Sequence, residues 1–407
     1  MDGPFLTGET RSAFRQDRII RPTHSEGKDA MHRQPRTLGP RPEKVAANLA
    51  VIVVTLALLC LCAPSRVLGD DPPATYPHKS VRRIEVGEGP RSYWLFEPAD
   101  PTPESAPVIV FNHGWFAVNP GVYGAWIEHL VRKGRIVIAP RYQRDWSTPP
   151  ANFLPNGLAA VRDALDVLST SPAHVRPDRS KFALMGHSAG GNLSAQMAAV
   201  AAEADLPIPR AVIAVFPGEV FPSRKPDLAN IPASTLLVVL AGEKDLVVGD
   251  QRAREIFSAT TAIPLDRKKF ILYRSDLRGV PQFRADHLAP TGAQPRFDTR
   301  DGLLPGAQMA QAEVNAFDTS GFWRIADITL EAAFAGKTLD EATDRGEAFR
   351  HLGFWSDGRP VIPPIVGDDL NLIPRVFPRA GIKLIAWPIL APIKDAAILK
   401  TEATERR

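Results

Sequence analysis

Continuous apolar runs alternate with helical patterns through most of the chain. The runs lie at residues 108–111, 136–139, 182–185, 211–215, 236–240 and 270–273. Between them, apolar residues recur at helical spacing near 122–133, 152–169, 189–204 and 250–260. A continuous run is typical of a strand covered on both faces, and the intervening helices supply the crossovers that parallel strands require. The pattern therefore predicts a doubly wound, mostly parallel α/β sheet.

Weaker patterns flank this alternation. Residues 83–86 and 92–96 alternate between polar and apolar positions, which indicates a pair of strands. A Pro/Gly-rich stretch at 289–307 predicts a surface loop. Helical spacing resumes at 308–335, with a break expected at Gly321.

The N-terminal segment differs in composition from the rest of the chain. Residues 45–63 are almost uninterruptedly apolar, follow several basic residues and contain both cysteines, Cys60 and Cys62. This pattern predicts an export signal with a cleavage region up to residue 69. An uncleaved membrane anchor of about nineteen residues is the alternative, and both interpretations put the body of the protein outside the cytoplasm.

The composition shifts define five segments. In chain order they are a basic disordered leader at 1–44, the signal or anchor region at 45–69, a linker at 70–80, an α/β domain at 81–335 and a C-terminal extension at 336–407. Translation could start at Met1 or Met31. The extension is expected to pack on the α/β domain.

Composition and charge exclude several classes of protein. The 407 residues are 44% hydrophobic and 23% charged, which is typical of globular domains. The net charge is +4 and the basic residues are scattered, so no nucleic-acid partner is expected. The sequence lacks metal-ligand spacing and nucleotide-binding loops, so neither a metal nor a cofactor is expected. We expect a monomer.

A Gly-His-Ser-Ala-Gly motif at 186–190 joins the run at 182–185 to the following alanine-rich helical pattern. Glycines two residues either side of Ser188 allow a strained turn that exposes its hydroxyl between a strand and a helix. A serine needs such geometry and a nearby base to become a nucleophile. The motif therefore predicts a catalytic Ser188, with an ordinary small-residue turn as the alternative.

A serine nucleophile requires a histidine base. His287 lies in a loop after the last predicted strand of the alternation, where loops at the carboxyl ends of parallel strands converge. It is the preferred base, and a surface position is the alternative. His351 lies beyond the last expected helix and is interpreted as a packing or surface residue.

The base requires a carboxylate that orients it. Asp245 follows the run at 236–240, and the order Ser188, Asp245, His287 is the chain order of an α/β-hydrolase triad. Glu243 and Asp250 are close alternatives in sequence. Asp286 is disfavoured because a carboxylate adjacent to the base rarely turns back to orient it.

Backbone N–H groups are expected to hold the oxyanion. One donor is Ala189, the residue after the nucleophile. The second is Trp115 or Phe116, because the His113-Gly114 pair directly after a buried strand allows a sharp turn. His113 itself is interpreted as a residue that fixes the loop.

Together these features resemble the α/β-hydrolase superfamily over residues 80–335. The resemblance is to serine esterases and lipases, in particular to chlorophyllase-like and polyester-hydrolase-like enzymes related to dienelactone hydrolases. Ser188 differs from the aspartate nucleophile of the dehalogenase branch. The absence of cysteines after Cys62 differs from disulfide-linked cutinases.

The resemblance implies a set of substrate contacts. The tentative substrate-binding residues are His113, Trp115, His187 and Tyr123, with Phe116 and Trp146 as further aromatic candidates. Packing in the core is the alternative for the lone aromatic side chains. Segment 353–358 is a candidate partial lid.

The function expected from these observations is an exported serine hydrolase that cleaves carboxylic esters through an acyl-enzyme. Its substrate is expected to be a small-molecule, lipid or polyester ester. A serine peptidase or acyltransferase with the same triad is one alternative. A non-catalytic binding protein with the same fold is the other.

Overall fold

The computed structural model describes residues 75–145, 147–220, 225–279, 282–302 and 305–377. The predictions for the leader, the signal or anchor segment with both cysteines, Trp146 and the end of the extension lie outside these residues. Within the described ranges, no helix has the length and apolarity needed to cross a membrane.

Within the described residues, nine strands form one mixed sheet in the order β1-β2-β4-β3-β5-β6-β7-β8-β9. They are β1 (Ser80–Val86), β2 (Tyr93–Ala99), β3 (Ser105–Asn112), β4 (Ile136–Pro140), β5 (Arg176–His187), β6 (Ala211–Val215), β7 (Leu236–Gly242), β8 (Lys268–Tyr273) and β9 (Ile365–Gly367). Strands β3 to β8 pair in parallel, whereas the β1-β2, β2-β4 and β8-β9 pairs are antiparallel. Every apolar run that was predicted to be a strand forms a strand in the structure.

Helices of the described residues pack on the sheet; the first four lie between the parallel strands, and the others follow β8. They are α1 (Gly124–Arg132), α2 (Phe153–Thr170), α3 (Ala189–Ala199), α4 (Gln251–Ala259), α5 (Pro305–Gln311), α6 (Arg324–Phe334) and α7 (Leu339–Thr343). A π-helical turn at Phe317–Trp323 precedes α6 and contains the break expected at Gly321. Gly321 packs so closely on Tyr273 that a Cβ would lie 2.9 Å from the Tyr273 hydroxyl oxygen.

Two apolar layers explain the continuous strand runs. Successive residues of β7 face opposite sides of the sheet, and every residue of the strand is buried. Leu165 of α2, Leu193 of α3 and Ile256 of α4 belong to one layer, whereas Trp126 of α1 and Ile325 of α6 belong to the other. Because both faces are covered, no alternating polar positions are needed.

The region after residue 335 continues the same sheet and core. Strand β9 pairs with β8, and Leu339, Phe349 and Val366 are buried against the second layer. The predicted boundary at 335 therefore does not end the α/β domain, which includes at least the described residues up to 377.

The stretch 289–307 is more ordered than the predicted surface loop. It contains a 3₁₀ turn at Pro295–Phe297, and Phe297 is buried with its ring centroid 5.0 Å from that of Phe96. The Gly292 N–H donates to the Val122 carbonyl just before α1, and the Ala125 N–H of α1 donates to the Gly292 carbonyl. The described part of the stretch is thus a loop with one buried turn that packs on the domain.

Candidate functional site

Ser188 lies on a strained turn at the carboxyl end of β5 and immediately precedes α3. Its backbone has φ 56° and ψ −123°, and only tight surroundings hold a non-glycine residue there. The turn also presses against β3, because a Cβ on Gly190 would lie 2.1 Å from the Asn112 carbonyl oxygen. A glycine is therefore required at this position, and the turn presents Ser188 at the edge where the parallel strands end.

The loops after β7 and β8 bring Asp245 and His287 to Ser188. His287 Nε2 lies 3.0 Å from Ser188 Oγ, and His287 Nδ1 lies 2.8 Å from Asp245 Oδ2. A carboxylate can only accept, so the Nδ1 of His287 carries a proton, which leaves Nε2 free to accept from the serine hydroxyl in the neutral ring. The three side chains form one continuous hydrogen-bonded chain.

Asp245 is fixed in its orientation by its own loop. Its Oδ1 accepts from the backbone N–H groups of Val247 and Val248, each at 3.0 Å. The carboxylate is fully buried, whereas 12% of the His287 side chain remains exposed. The acid is therefore isolated from solvent while the imidazole remains accessible.

The alternative acids have other partners. Glu243 Oε1 accepts from the Ser275 N–H at 2.9 Å, and Asp250 Oδ2 accepts from Arg254 Nε at 2.6 Å. Asp286 accepts from a backbone N–H of its own loop, and burial raises the pKa of its carboxyl. None of the three has a hydrogen bond to the imidazole of His287 in the described contacts.

His351, the alternative base, is exposed on the surface of the C-terminal region. Its carbonyl accepts from Arg324 Nη1 at 3.4 Å, which ties the surrounding turn to α6. The structure therefore does not bring His351 to Ser188.

The loop after β3 passes directly against the nucleophile. A Cβ on Gly114 would lie 3.4 Å from Ser188 Cβ, so the peptide that follows Gly114 adjoins the serine. The Phe116 N–H donates to Gln143 Oε1 at 2.9 Å and is engaged away from the serine. The hydrogen bond to Gln143 disfavours the Phe116 N–H as the second oxyanion donor. The Trp115 N–H is the remaining candidate.

His113 is not placed to contact a substrate. Its Nδ1 lies 2.6 Å from the Gly114 carbonyl oxygen and its Nε2 lies 2.8 Å from that of Arg141. The ring stacks on Tyr142 with centroids 4.1 Å apart, and burial lowers the pKa of its imidazole to about 4. His113 fixes the loop, which was the alternative interpretation.

Tyr123 and His187 are also buried, which disfavours the substrate contacts that the resemblance implies for them. Their exposed fractions are 1% and 2%, and the Tyr123 hydroxyl oxygen lies 2.9 Å from His187 Nδ1. Core packing takes precedence because α1 and the π-helical turn cover this side of the sheet. Trp115 is only partly buried and remains a candidate contact.

A narrow apolar depression adjoins Ala189. Phe153, Leu193 and Val220 contribute its apolar lining. A cavity of about 490 Å³ lies elsewhere, between residues 225–228 and α4, and none of its lining residues belongs to the hydrogen-bonded chain at Ser188. Of the two, only the depression is lined by Ala189, the residue after the nucleophile.

Sequence reasoning missed two residues of this site. Gln143 contacts the Phe116 N–H, and Gly218 lies so close that a Cβ there would be 3.5 Å from Ser188 Oγ. Both follow a predicted strand, β4 and β6 respectively. Their position after the carboxyl ends of parallel strands was the signal that could have identified them.

Comparison with known proteins agrees with this architecture. A family model described as alpha/beta hydrolase fold matches residues 109–268, from β3 to the start of β8. The strand order and the parallel pairing of β3 to β8 fit the same description, so the chain has an α/β-hydrolase fold. The match supports a hydrolase of this type. A search of curated proteins found no match.

Proposed function

We propose that this protein is a serine hydrolase that cleaves carboxylic esters through an acyl-serine intermediate. The observation that carries the proposal is the chain of contacts from Ser188 Oγ through His287 to Asp245. A binding protein would have no need for a strained serine, an aligned imidazole and a buried carboxylate in this order.

In the proposed reaction, His287 Nε2 takes the hydroxyl proton while Ser188 Oγ attacks the ester carbonyl carbon. Asp245 stabilises the imidazolium that forms. The N–H groups of Ala189 and Trp115 bind the oxyanion, and His287 then protonates the departing alcohol. Water, deprotonated by His287, attacks the acyl carbonyl carbon, the bond to Ser188 Oγ breaks to release the acid, and His287 returns the proton to Ser188 Oγ, so the enzyme returns to its starting state.

The surroundings of the triad favour an apolar ester. Leu246 and Leu288, the neighbours of the acid and the base, are 44% and 39% exposed. Their positions in the chain next to Asp245 and His287, with Trp115 in the loop after β3, support apolar side chains around the site. This supports the resemblance to chlorophyllase-like and polyester-hydrolase-like enzymes, with a lipid, polyester or small apolar ester as substrate and no cofactor in the proposed steps.

Export belongs to the same proposal. The apolar segment at 45–63 and the small or aliphatic residues before Asp70 support cleavage after residue 69. Sequencing of the mature N-terminus from an expressing cell should begin at Asp70. Recovery of the full-length chain in the membrane fraction would instead support the uncleaved anchor.

Fluorophosphonate labelling followed by peptide mapping tests the enzymatic proposal. The purified protein should label at Ser188, and Ser188→Ala should not label. A panel of p-nitrophenyl esters with different acyl lengths should be hydrolysed well above background, with longer apolar chains preferred over acetate.

Two outcomes would contradict the proposal. An unlabelled protein with background ester hydrolysis would favour the binding protein. A labelled protein that cleaves peptidyl amides but not esters would favour a peptidase, because the same triad serves both reactions.

A further inference from the structure

The buried Tyr123 hydroxyl connects two segments of the candidate site. Its oxygen lies 3.0 Å from the Gly114 backbone nitrogen and 2.9 Å from His187 Nδ1. Gly114 directly precedes Trp115, and His187 directly precedes the Ser188-Ala189 pair. One side chain therefore bridges the residue before the expected donor Trp115 and the residue before the nucleophile, which lies two positions from the expected donor Ala189.

The direction of these hydrogen bonds follows from the groups involved. The Gly114 N–H can only donate, so the Tyr123 oxygen accepts from it and has a single proton left to donate to His187 Nδ1. Burial lowers the pKa of the His187 imidazole well below its usual value and raises that of the Tyr123 phenol, so both side chains are neutral. A neutral His187 that accepts at Nδ1 carries its proton on Nε2.

The backbone at Gly114 is fitted closely to this bridge. A Cβ there would lie 2.9 Å from the Tyr123 hydroxyl oxygen and 3.4 Å from both His187 Nδ1 and Ser188 Cβ. Because Gly114 has no side chain, the loop after β3 can pack directly against the Tyr123 hydroxyl and the turn that carries Ser188. The His187 ring also packs beside the His287 ring, with centroids 4.7 Å apart.

We propose that Tyr123, acting through Gly114 and His187, is a positioning residue that holds the Trp115 and Ala189 N–H groups at a fixed separation. This inference rests on the proposed function. Tyr123 touches no substrate in this role, and it acts by keeping the loop after β3 in register with the turn after β5. Oxyanion donors act on the transition state, so a loosened bridge should lower kcat more than it changes KM.

Tyr123→Phe removes the bridge and keeps the ring. We expect kcat for a p-nitrophenyl ester to fall about 10- to 100-fold, less than the 10²–10³ typical of a lost donor, with KM changed less than about twofold. Tyr93→Phe is the matched control, because Tyr93 is also buried and its hydroxyl donates to Asp163 at 2.7 Å on another part of the sheet. An unchanged kcat for Tyr123→Phe, or an equal loss in the control, overturns the inference.

Two substitutions of His187 separate hydrogen bonding from packing. The amide oxygen of Asn can accept near the position of Nδ1, so His187→Asn should recover most of the kcat that His187→Leu loses. Tyr123→Phe combined with His187→Leu should be no worse than the poorer single variant, because both remove the same bridge. Equal losses for Asn and Leu, or fully multiplicative losses in the double variant, overturn the inference.

A measurement that does not depend on catalytic activity separates this inference from the proposed function. In ¹⁵N spectra of the full chain, His187 should be protonated at Nε2 and unprotonated at Nδ1, and Tyr123→Phe should shift its Nδ1 signal. An Nδ1 signal that Tyr123→Phe leaves unchanged overturns the bridge whatever the activity. A wild-type protein without esterase activity would contradict the proposed function, whereas an active wild type with an equally active Tyr123→Phe variant would contradict only the bridge.

Discussion

Ser188 illustrates how a single residue conformation carries chemical meaning. A positive φ of 56° in a residue with a Cβ is unfavourable, and here close packing against β3 enforces it. The same turn aims the hydroxyl at His287 rather than into the core. Strain and reactivity therefore have a common structural cause at this position.

Substitutions of the two candidate bases should have different effects on turnover. His287→Ala should lower kcat by about 10⁴-fold or more, because the hydroxyl of Ser188 loses its proton acceptor. His351→Ala should retain most of the turnover, because that side chain is exposed and lies away from the serine. Steady-state kinetics on one p-nitrophenyl ester measures both effects, and the reverse pattern would move the base to His351.

The glycine-flanked serine motif and the chain order predicted the residues of the hydrogen-bonded chain, because each lies in the turn or loop that follows a strand of the parallel sheet. They could not choose between Trp115 and Phe116 as oxyanion donor. That choice depends on which way the peptides of the turn point, and a contact from a distant loop, the Phe116 N–H donating to Gln143, favours Trp115. Burial of Tyr123 likewise depends on helices that pack from elsewhere in the chain.

At the scale of elements, the loop that carries His287 is anchored to the C-terminal region. Asp276, fully buried, accepts from Arg278 Nη2 at 2.6 Å, from Trp355 Nε1 at 2.9 Å and from the Ile362 N–H at 3.0 Å. The Arg278 guanidinium holds the pKa of this carboxyl well below its usual value, although burial opposes that shift. Segment 353–358, expected as a partial lid, packs beside this loop through Trp355, whose ring stacks on Phe283.

Asp276→Asn tests the anchor. An amide can accept on one atom only and carries no charge, so we expect a loss of about 2 kcal/mol in the free energy of unfolding. Hydrogen exchange should also accelerate in residues 274–287 and 353–362 more than in β5 to β7. Urea unfolding and exchange followed by mass spectrometry measure these effects.

Asp357→Asn is the control, since that carboxylate lies in the same region but is exposed and accepts from the Arg359 N–H of its own turn. If residues 274–287 keep their protection from hydrogen exchange in Asp276→Asn, other contacts hold the loop.

At the scale of the whole molecule, the sequence predicted the central strands well and the C-terminal part poorly. Long aliphatic runs are distinctive because burial on both faces removes polar positions. Strand β9 has only the three residues Ile365–Gly367, too few for any periodicity, and it becomes a strand because β8 offers it a free edge. For the same reason the sequence placed no strand in the extension after residue 335.

A buried ion cluster on the face opposite α3 links α6 to α1 and to the start of β4. Asp327 Oδ2 lies 2.9 Å from His129 Nε2, and its Oδ1 accepts from Arg135 Nη1 at 2.5 Å. Burial alone would raise the pKa of the Asp327 carboxyl, but His129 and Arg135 outweigh it and lower the pKa to about 2. Removing one partner from such a cluster leaves a buried charge unpaired.

This lowered pKa predicts how the fold responds to acid. A carboxyl whose folded pKa lies below its unfolded value of about 3.9 stabilises the fold above that value, and the contribution is lost as the pH falls towards 2. Asp327→Asn should therefore lower the free energy of unfolding by about 2 kcal/mol at pH 6. The difference in this free energy between variant and wild type should shrink as the pH falls from about 4 to 2. Glu331→Gln, an exposed carboxylate on the same helix 3.7 Å from Arg135, should change stability little at either pH. Urea unfolding at pH 6, 4 and 3 measures the differences, and a deficit for Asp327→Asn that stayed constant across this range would show that the ionised carboxylate is not the source of the stability.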